Sequence, residues 1–270
     1  MIAFAGMSRK RSGDDANEDS IGWNVERKLA LVADGMGGHA KGEVASAIAK
    51  ESLLGDPNGS LAEGALTAHA KILEYAGAHP EAKGMGCTLV ALTVTDRQAC
   101  VVWIGDSRAY LLRGGHLRAL TKDHTRAEVA REEVGLSETQ VRQHPGHNFL
   151  TQALGQPTPV PSLKKTSLYR GDRLMLCSDG LSGVLRDPEI AEIMNGNGNL
   201  ESCATALVDA AVAAGSKDDI SVVLGEYSGP SNWLPSFTSR IPLGVWLAVA
   251  GGVILGAALA LVLYLTEYRK

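Results

Sequence analysis

The chain has 270 residues, of which 45% are hydrophobic, and 26 Lys and Arg stand against 30 Asp and Glu for a formal net charge of −4. That is enough apolar material for one large core or two small ones, which argues against a disordered chain. The basic residues are scattered and form no stripe, so nucleic acid is not an expected partner.

In chain order, strand-length apolar runs fall at 29–33, 88–95, 99–104, 109–112, 173–177 and 220–226, each bounded by Gly, Asp or charged residues. Helical patterns lie at 43–54, 61–78, 126–133, 137–144, 188–194 and 200–214. The strands cluster as hairpins, with Gly114-Gly115 a turn signal between two of them. Such clustering predicts antiparallel sheets with segregated helices, an α+β fold, over regular βαβ alternation. Four cysteines, Cys87, Cys100, Cys177 and Cys203, lie far apart with no C-x-x-C pair. They read as buried thiols of a reducing compartment, not as a zinc site or a disulfide framework.

Residues 228–242, with three prolines and several serines, read as a linker. Residues 243–265 carry no charge, and at about 1.5 Å per residue such a helix spans a hydrocarbon core of about 30 Å. A transmembrane helix is expected there, with Trp246 and Tyr264 near its two ends and a short tail at 266–270. The N-terminus MIAFAGMSRKRSGDD has too short an apolar run for a secretory signal. The expectation is therefore a single-pass membrane protein, its globular part in the cytoplasm.

Acidic residues abut apolar runs at four places: NEDS (17–20), ADG (33–35), CSDG (177–180) and SKDDIS (216–221). One Asp-Gly is ordinary turn chemistry. Four acidic strand ends brought together would repel one another, at a cost that a bound divalent cation offsets, because hard cations choose carboxylate, carbonyl and water oxygens. Glycine after Asp34 lets the backbone turn and offers its carbonyl as a further ligand. The chain holds no G-x-S-x-G elbow, paired Cys/His arrangement or P-loop that would supply a protein nucleophile or a nucleotide cradle.

In order along the chain, NEDS, LVADGMGGHAKGEVAS, GCTLVAL, WIGDSRAYLLRGG, LTKDHT, HPGHNFLTQALG, LMLCSDGLSGVL and KDDISVVL resemble the successive motifs of the metal-dependent protein serine/threonine phosphatases of the protein phosphatase 2C type, most of all their bacterial branch. The resemblance implies an antiparallel β-sandwich flanked by helices on both sides, α-β-β-α, over residues 1–227. It also implies hydrolysis of phosphoserine and phosphothreonine on proteins by a hydroxide shared between two Mg²⁺ or Mn²⁺ ions. Asp34 resembles the aspartate that bridges both metals and Gly35 the carbonyl donor, with Asp179 the next ligand. Glu18 and Asp19 match the family's Glu-Asp pair. The family has Asp-Asn where this chain has Asp218-Asp219, so Asp218 aligns with the ligand, and which of the two carboxylates binds stays open. Asp106 and Asp123 align with positions that hold a third, weaker metal in bacterial relatives.

Two features depart from the family. Animal members have a histidine at the place of Met36; bacterial relatives share the form seen here, in which metal-bound water acts instead, and His39 is the obvious substitute but is read as a structural residue. The phosphate-binding arginine falls on Asp14, so Arg11 takes that role if a short insertion precedes it, with Arg9 and Lys10 as weaker candidates. The segment 123–155 resembles the bacterial flap, a short helical cover beside the metals that contacts substrate protein. Phosphorylated proteins and an opposing Ser/Thr kinase are the implied partners. Two rival readings are a pseudophosphatase that binds phosphorylated partners without catalysis and a hydrolase of small phosphate esters; the intact carboxylates speak against the first.

Overall fold

The computed structural model describes residues 1–229 apart from 12, 14–15, 37–40 and 57–58. Two antiparallel sheets lie face to face. One has the order β1 (Ile2–Arg9), β11 (Ile220–Tyr227), β10 (Arg173–Cys177), β7 (Arg108–Arg113), β8 (His116–Ala119). The other has the order β2 (Asp19–Asn24), β3 (Leu29–Met36), β5 (Leu89–Thr95), β6 (Gln98–Ile104), β9 (Ser162–Ser167), and the two-residue strand β4 (Gly86–Cys87) pairs with the far end of β3. Helices α1 (Gly42–Gly55) and α2 (Leu61–Ala78) cover the second sheet, while α6 (Asp187–Gly196) and α7 (Leu200–Ala213) cover the first. Among the described residues there are three further short α-helices, α3 (Arg126–Val134), α4 (Glu138–Gln143) and α5 (Asp179–Ser182), and a 3-10 turn at Pro80–Ala82.

Three hydrophobic clusters correspond to the three interfaces of this α-β-β-α sandwich. Leu31, Ala33 and Ala91 pack with Ala45, Ala49 and Ala65 of the helices on one side. Tyr110, Met175 and Val222 pack with Cys203, Leu207 and Val208 on the other. Between the sheets lie Ala30, Val32, Val90, Leu111, Leu176 and Val223. Strand β3 is buried on both faces, which is why its sequence reads as an unbroken apolar run without alternation. The helix starts are chemically specified: Ser60 and Glu63 form a capping box on α2, Ser137 and Gln140 another on α4, and Thr125 caps α3.

Four strands escape the sequence pattern. In β1 and β2 glycines and serines blur the alternation, β4 has two residues, and β9 is a polar edge strand whose lysines face solvent; the hairpin expected at Gly114-Gly115 does form, with the polar edge strand β8 as its second arm. The expected linker and membrane helix at 230–265 and the tail at 266–270 lie outside the described residues. Among those that are described, no helix is long and apolar enough to cross a membrane.

Leu176→Ala empties the space between the sheets and is expected to lower unfolding free energy by about 2–5 kcal/mol in urea titration. Leu66→Ala, on the exposed face of α2, should change it by no more than about 0.5 kcal/mol.

A carboxylate-lined cleft at one end of the sandwich

Side chains alternate along a strand, so Ala30 and Val32 of β3 fix which way Asp34 points: into the gap between the sheets. On β10 the same series runs Leu174, Leu176, Ser178, and on β11 it runs Val223, Ser221, Asp219. The apolar filling therefore gives way at one end of the gap to hydroxyls and carboxylates. The Ser8 and Ser221 hydroxyls lie 2.8 Å apart, and Ser178 Oγ donates to Asp19 Oδ2 at 2.8 Å across the gap. Asp34 N donates to Thr88 Oγ1 at 3.2 Å, and Thr88 Oγ1 lies 2.7 Å from Ser107 Oγ.

At this end Asp19 pairs directly with Asp34 across the β2–β3 ladder. Cross-strand neighbours sit about 4.5–5.5 Å apart at Cβ, and like charges so placed are destabilising. Asp34, Glu18, Asp106, Asp179 and Asp218 all line one cavity of about 670 Å³, together with Arg11, Gly35 and Met36. Residues 148–153 and Gln156 and Pro157 form the rest of its wall. A smaller cavity of about 110 Å³ shares Asp106, Asp179 and Asn148 and is also lined by Arg108, Asp123 and Arg142.

Electrostatics follow from this crowding. Burial, then the hydroxyl bonds of Ser221 and Ser178 pulling the other way, then the charges of Asp219 and Asp179 leave Asp19 raised to about 8. Asp34 lies well above the usual carboxylate range through burial and the fields of Asp19, Asp179, Asp106 and Asp218. Asp106 is raised by burial, Asp179 and Asp123, and Asp179 by burial and Asp218, with a hydrogen bond to Asp34 opposing.

The Asp218-Asp219 pair divides its work. Asp219 is 4% exposed, and its two oxygens accept the backbone N–H groups of Arg11 at 2.7 Å and Glu18 at 2.6 Å. The two donors thus engage different oxygens, an arrangement open to a carboxylate, whereas an amide side chain has a single acceptor oxygen. Asp218 faces the cavity, 3.6 Å from the Arg11 guanidinium. Asp219 thus pins the loop that presents both Arg11 and Glu18. Arg9 instead reaches Asp209 at 2.8 Å, away from the cleft. Asp123 has both oxygens on the Arg108 guanidinium, at 2.7–3.2 Å. His39 and Asp14 lie outside the described residues.

Do these residues suit divalent ions? Among the described residues, no three His, Cys, Asp or Glu side chains form a ready-made cage. Mg²⁺-type sites need none, since such ions keep several waters and take one or two carboxylates each. Asp19 Oδ1 and Asp179 Oδ1 are buried without a hydrogen-bond partner, an arrangement that costs free energy unless a cation meets them. Gly35 is equally constrained: a Cβ there would strike the Gly42 carbonyl and Glu18 O, so only glycine lets strand β3 pass so close to the Glu18 loop. The donor set fits hard divalent cations.

Sequence reasoning found the carboxylates but missed Ser8, Thr88, Ser178 and Ser221, which bond them or one another, and Arg108 and Asn148. The hydroxyls were legible in principle from the alternation of β1, β5, β10 and β11. Asn148 lies on a loop, and no local pattern marks it.

An acidic cleft at one end of a two-sheet α-β-β-α sandwich defines a class of hydrolase fold, and the comparisons give the family. The family Protein phosphatase 2C is matched over residues 5–215, and this chain belongs to it. The serine/threonine protein phosphatase PstP of Mycobacterium tuberculosis is 37% identical over 234 residues, 84% of this chain and 45% of that protein. The chain thus spans less than half the length of that relative. The serine/threonine phosphatase stp of Listeria monocytogenes is 34% identical over 229 residues, 78% of this chain and 90% of its own length. Among solved structures, the M. tuberculosis PstP/Ppp phosphatase superposes with TM-score 0.79 at 32% identity, over 84% of this chain and 99% of that one. A PstP catalytic domain in complex with two manganese ions gives TM-score 0.76 at 31% identity, with the same coverage.

The folded chain holds the Asp19 proton up to about pH 8, whereas an unfolded aspartate loses it near 4. The folded state therefore binds more protons across that window, and stability is lost as pH rises through it. With divalent ions chelated, the thermal midpoint should fall between pH 5 and pH 8.5, and added Mn²⁺ should flatten the fall by binding the folded state. A midpoint that rises over that range contradicts the electrostatic account.

Proposed function

We propose that this chain hydrolyses phosphoserine and phosphothreonine esters of proteins, with residues 1–227 as the phosphatase domain and 123–155 as its flap. The observation that carries the reading is the convergence of Glu18, Asp34, Asp106, Asp179 and Asp218 on one cavity beside Arg11. Two divalent cations, Mn²⁺ or Mg²⁺, held there would lower the pKa of a water and neutralise charge on the phosphoryl oxygens. Asp34 is the carboxylate placed to be shared, because it feels Asp19, Asp179, Asp106 and Asp218 at once. Glu18, Asp179, Asp218 and the Gly35 carbonyl complete the set, with Asp19 acting from its buried position directly or through water. Asp106 is the candidate for a third ion, sharing the smaller cavity with Asp123, whose carboxylate is also claimed by Arg108.

Arg11 orients the phosphate. Its backbone is tied to Asp219 and its guanidinium stands at the cavity beside Asp218, where its planar fork suits the outer oxygens of a phosphate dianion. No side chain is required as nucleophile: water attacks phosphorus in line and the seryl or threonyl oxygen leaves. An opposing Ser/Thr kinase would supply the substrate.

Residues 228–242 and 243–265 are proposed as linker and single-pass anchor in a bacterial inner membrane, with the phosphatase domain in the cytoplasm. The support is the sequence: 23 consecutive uncharged residues.

Phosphate release from a phosphothreonine peptide should require Mn²⁺ or Mg²⁺ and stop on chelation. Asp34→Asn should lower kcat/KM at least about a hundredfold, equivalent to about 2.7 kcal/mol of barrier. Its melting temperature in chelator should stay level or rise, because one repulsive charge is gone. Activity that survives exhaustive chelation overturns the reading. Separately, the full chain should pellet with membranes through carbonate extraction, and its phosphatase domain should resist protease in spheroplasts until lysis; recovery in the soluble fraction would refute the anchor.

A further inference from the structure

The Asp34-bearing strand does not end the sheet on its side. Gly35 and Met36 pair with Cys87 and Gly86 of β4, and Cys87 in turn pairs with Leu154, its N–H donating to Leu154 O at 3.1 Å and Leu154 N–H donating back at 2.9 Å. The ladder thus extends from the metal end of β3 through β4 to the segment that walls the cavity with Gln152, Ala153, Gln156 and Pro157. One bond beyond the ladder, Gly155 N–H donates to His69 Nδ1 at 3.1 Å.

His69 stands on α2, on the face that buries Ala65, Ala68 and Ile72, and is not among the residues lining the cavity. Its Nδ1 accepts a hydrogen bond, so the proton of the neutral ring is on Nε2. Partial burial lowers the ring's pKa and favours that neutral form. Gly155 has φ +84°, and a Cβ there would collide with Met85 O and Ile72, so the chain passes this point in a single tight conformation. Residues 152–157 are therefore fixed twice, by the ladder to β4 and by one side-chain acceptor from α2.

We propose that His69 is a positioning residue for protein substrates: by accepting the Gly155 N–H it holds residues 152–157 at a set distance from Asp34, so that the cavity wall meets the peptide flanking the phosphorylated residue. A cavity of about 670 Å³ is in the range that takes a whole drug-sized ligand, so flanking residues of a peptide enter it as well as the phosphate. A small ester occupies only the carboxylate end and does not feel the wall. The inference rests on the phosphatase reading, and the experiment separates the two.

The test compares KM and kcat for a phosphothreonine peptide and for p-nitrophenyl phosphate, in Mn²⁺, for the full chain and two variants. His69→Leu keeps the bulk and removes the acceptor, while His69→Asn returns an acceptor oxygen near the place of Nδ1. We expect His69→Leu to raise the peptide KM at least fivefold with kcat within twofold, to leave both constants for the small ester within twofold, and His69→Asn to restore the peptide KM. An unchanged peptide KM in His69→Leu overturns the proposal. So does an equal rise for both substrates, which marks a general disturbance of the metal end, or a failure of His69→Asn to rescue. If the unaltered chain turns over neither substrate, it is the phosphatase reading that fails.

Discussion

Like charges gathered in a confined space must be held there by something stiffer than their repulsion, and the backbone ladders of two packed sheets do that here. Asp19 and Asp34 face each other because the β2–β3 register puts them opposite one another, and their strands have no freedom to slip without turning Ala30 and Val32 out of the core. Asp179 is set by its place at the start of α5, directly after β10. The free energy gained from the apolar layers on either side sustains a polar end that would not assemble alone. In this fold a divalent cation relieves a repulsion that the sheets impose.

The polar end also joins the sheets to each other. Ser178 of the first sheet donates to Asp19 of the second and accepts the Ser221 N–H, and Asp219 reaches from the start of β11 to the loop before β2. Buried polar groups stabilise a fold only when they are satisfied. Among the described residues three buried side-chain atoms lack a partner: Ser52 Oγ on α1, and Asp19 Oδ1 and Asp179 Oδ1, which fall where a cation is wanted. The carboxylate at 219 is tied to this end by the two N–H donors it accepts, one on each oxygen.

The segment 123–155 is built differently. Among its helices α3 buries only Ala127 and α4 buries nothing, so few apolar contacts hold them to the body. Arg142 of α4 supplies the main tie, donating to Ser182 O, Gly183 O and Leu185 O around the end of α5, the helix that begins with Asp179. A segment with so little buried surface opens at low cost. Its far end, by contrast, is locked into the β4 ladder. The wall of the larger cavity at 152–157 thus belongs to this rigid end, while α3 and α4 contribute no residue to that cavity.

From the sequence alone, the class of fold, the helices and the doubly buried strands were legible, because burial on one helix face or on both strand faces writes a period or a run into the chain. The acidic strand ends were legible as well, since charge beside an apolar run is conspicuous, and their order along the chain carried the family. Edge strand β9 was not, because a strand that buries little keeps no apolar pattern, and β8 was legible only through the Gly114-Gly115 turn before it. Nor could the sequence say which of Asp218 and Asp219 faces the cavity, that Arg9 turns to Asp209 while Arg11 turns inward, or that His69 reaches Gly155 across 86 residues. These depend on which backbone donors and charges meet from distant segments. Local sequence fixes a residue's chemistry and its face, but only the packing of the sheets and helices decides its partner.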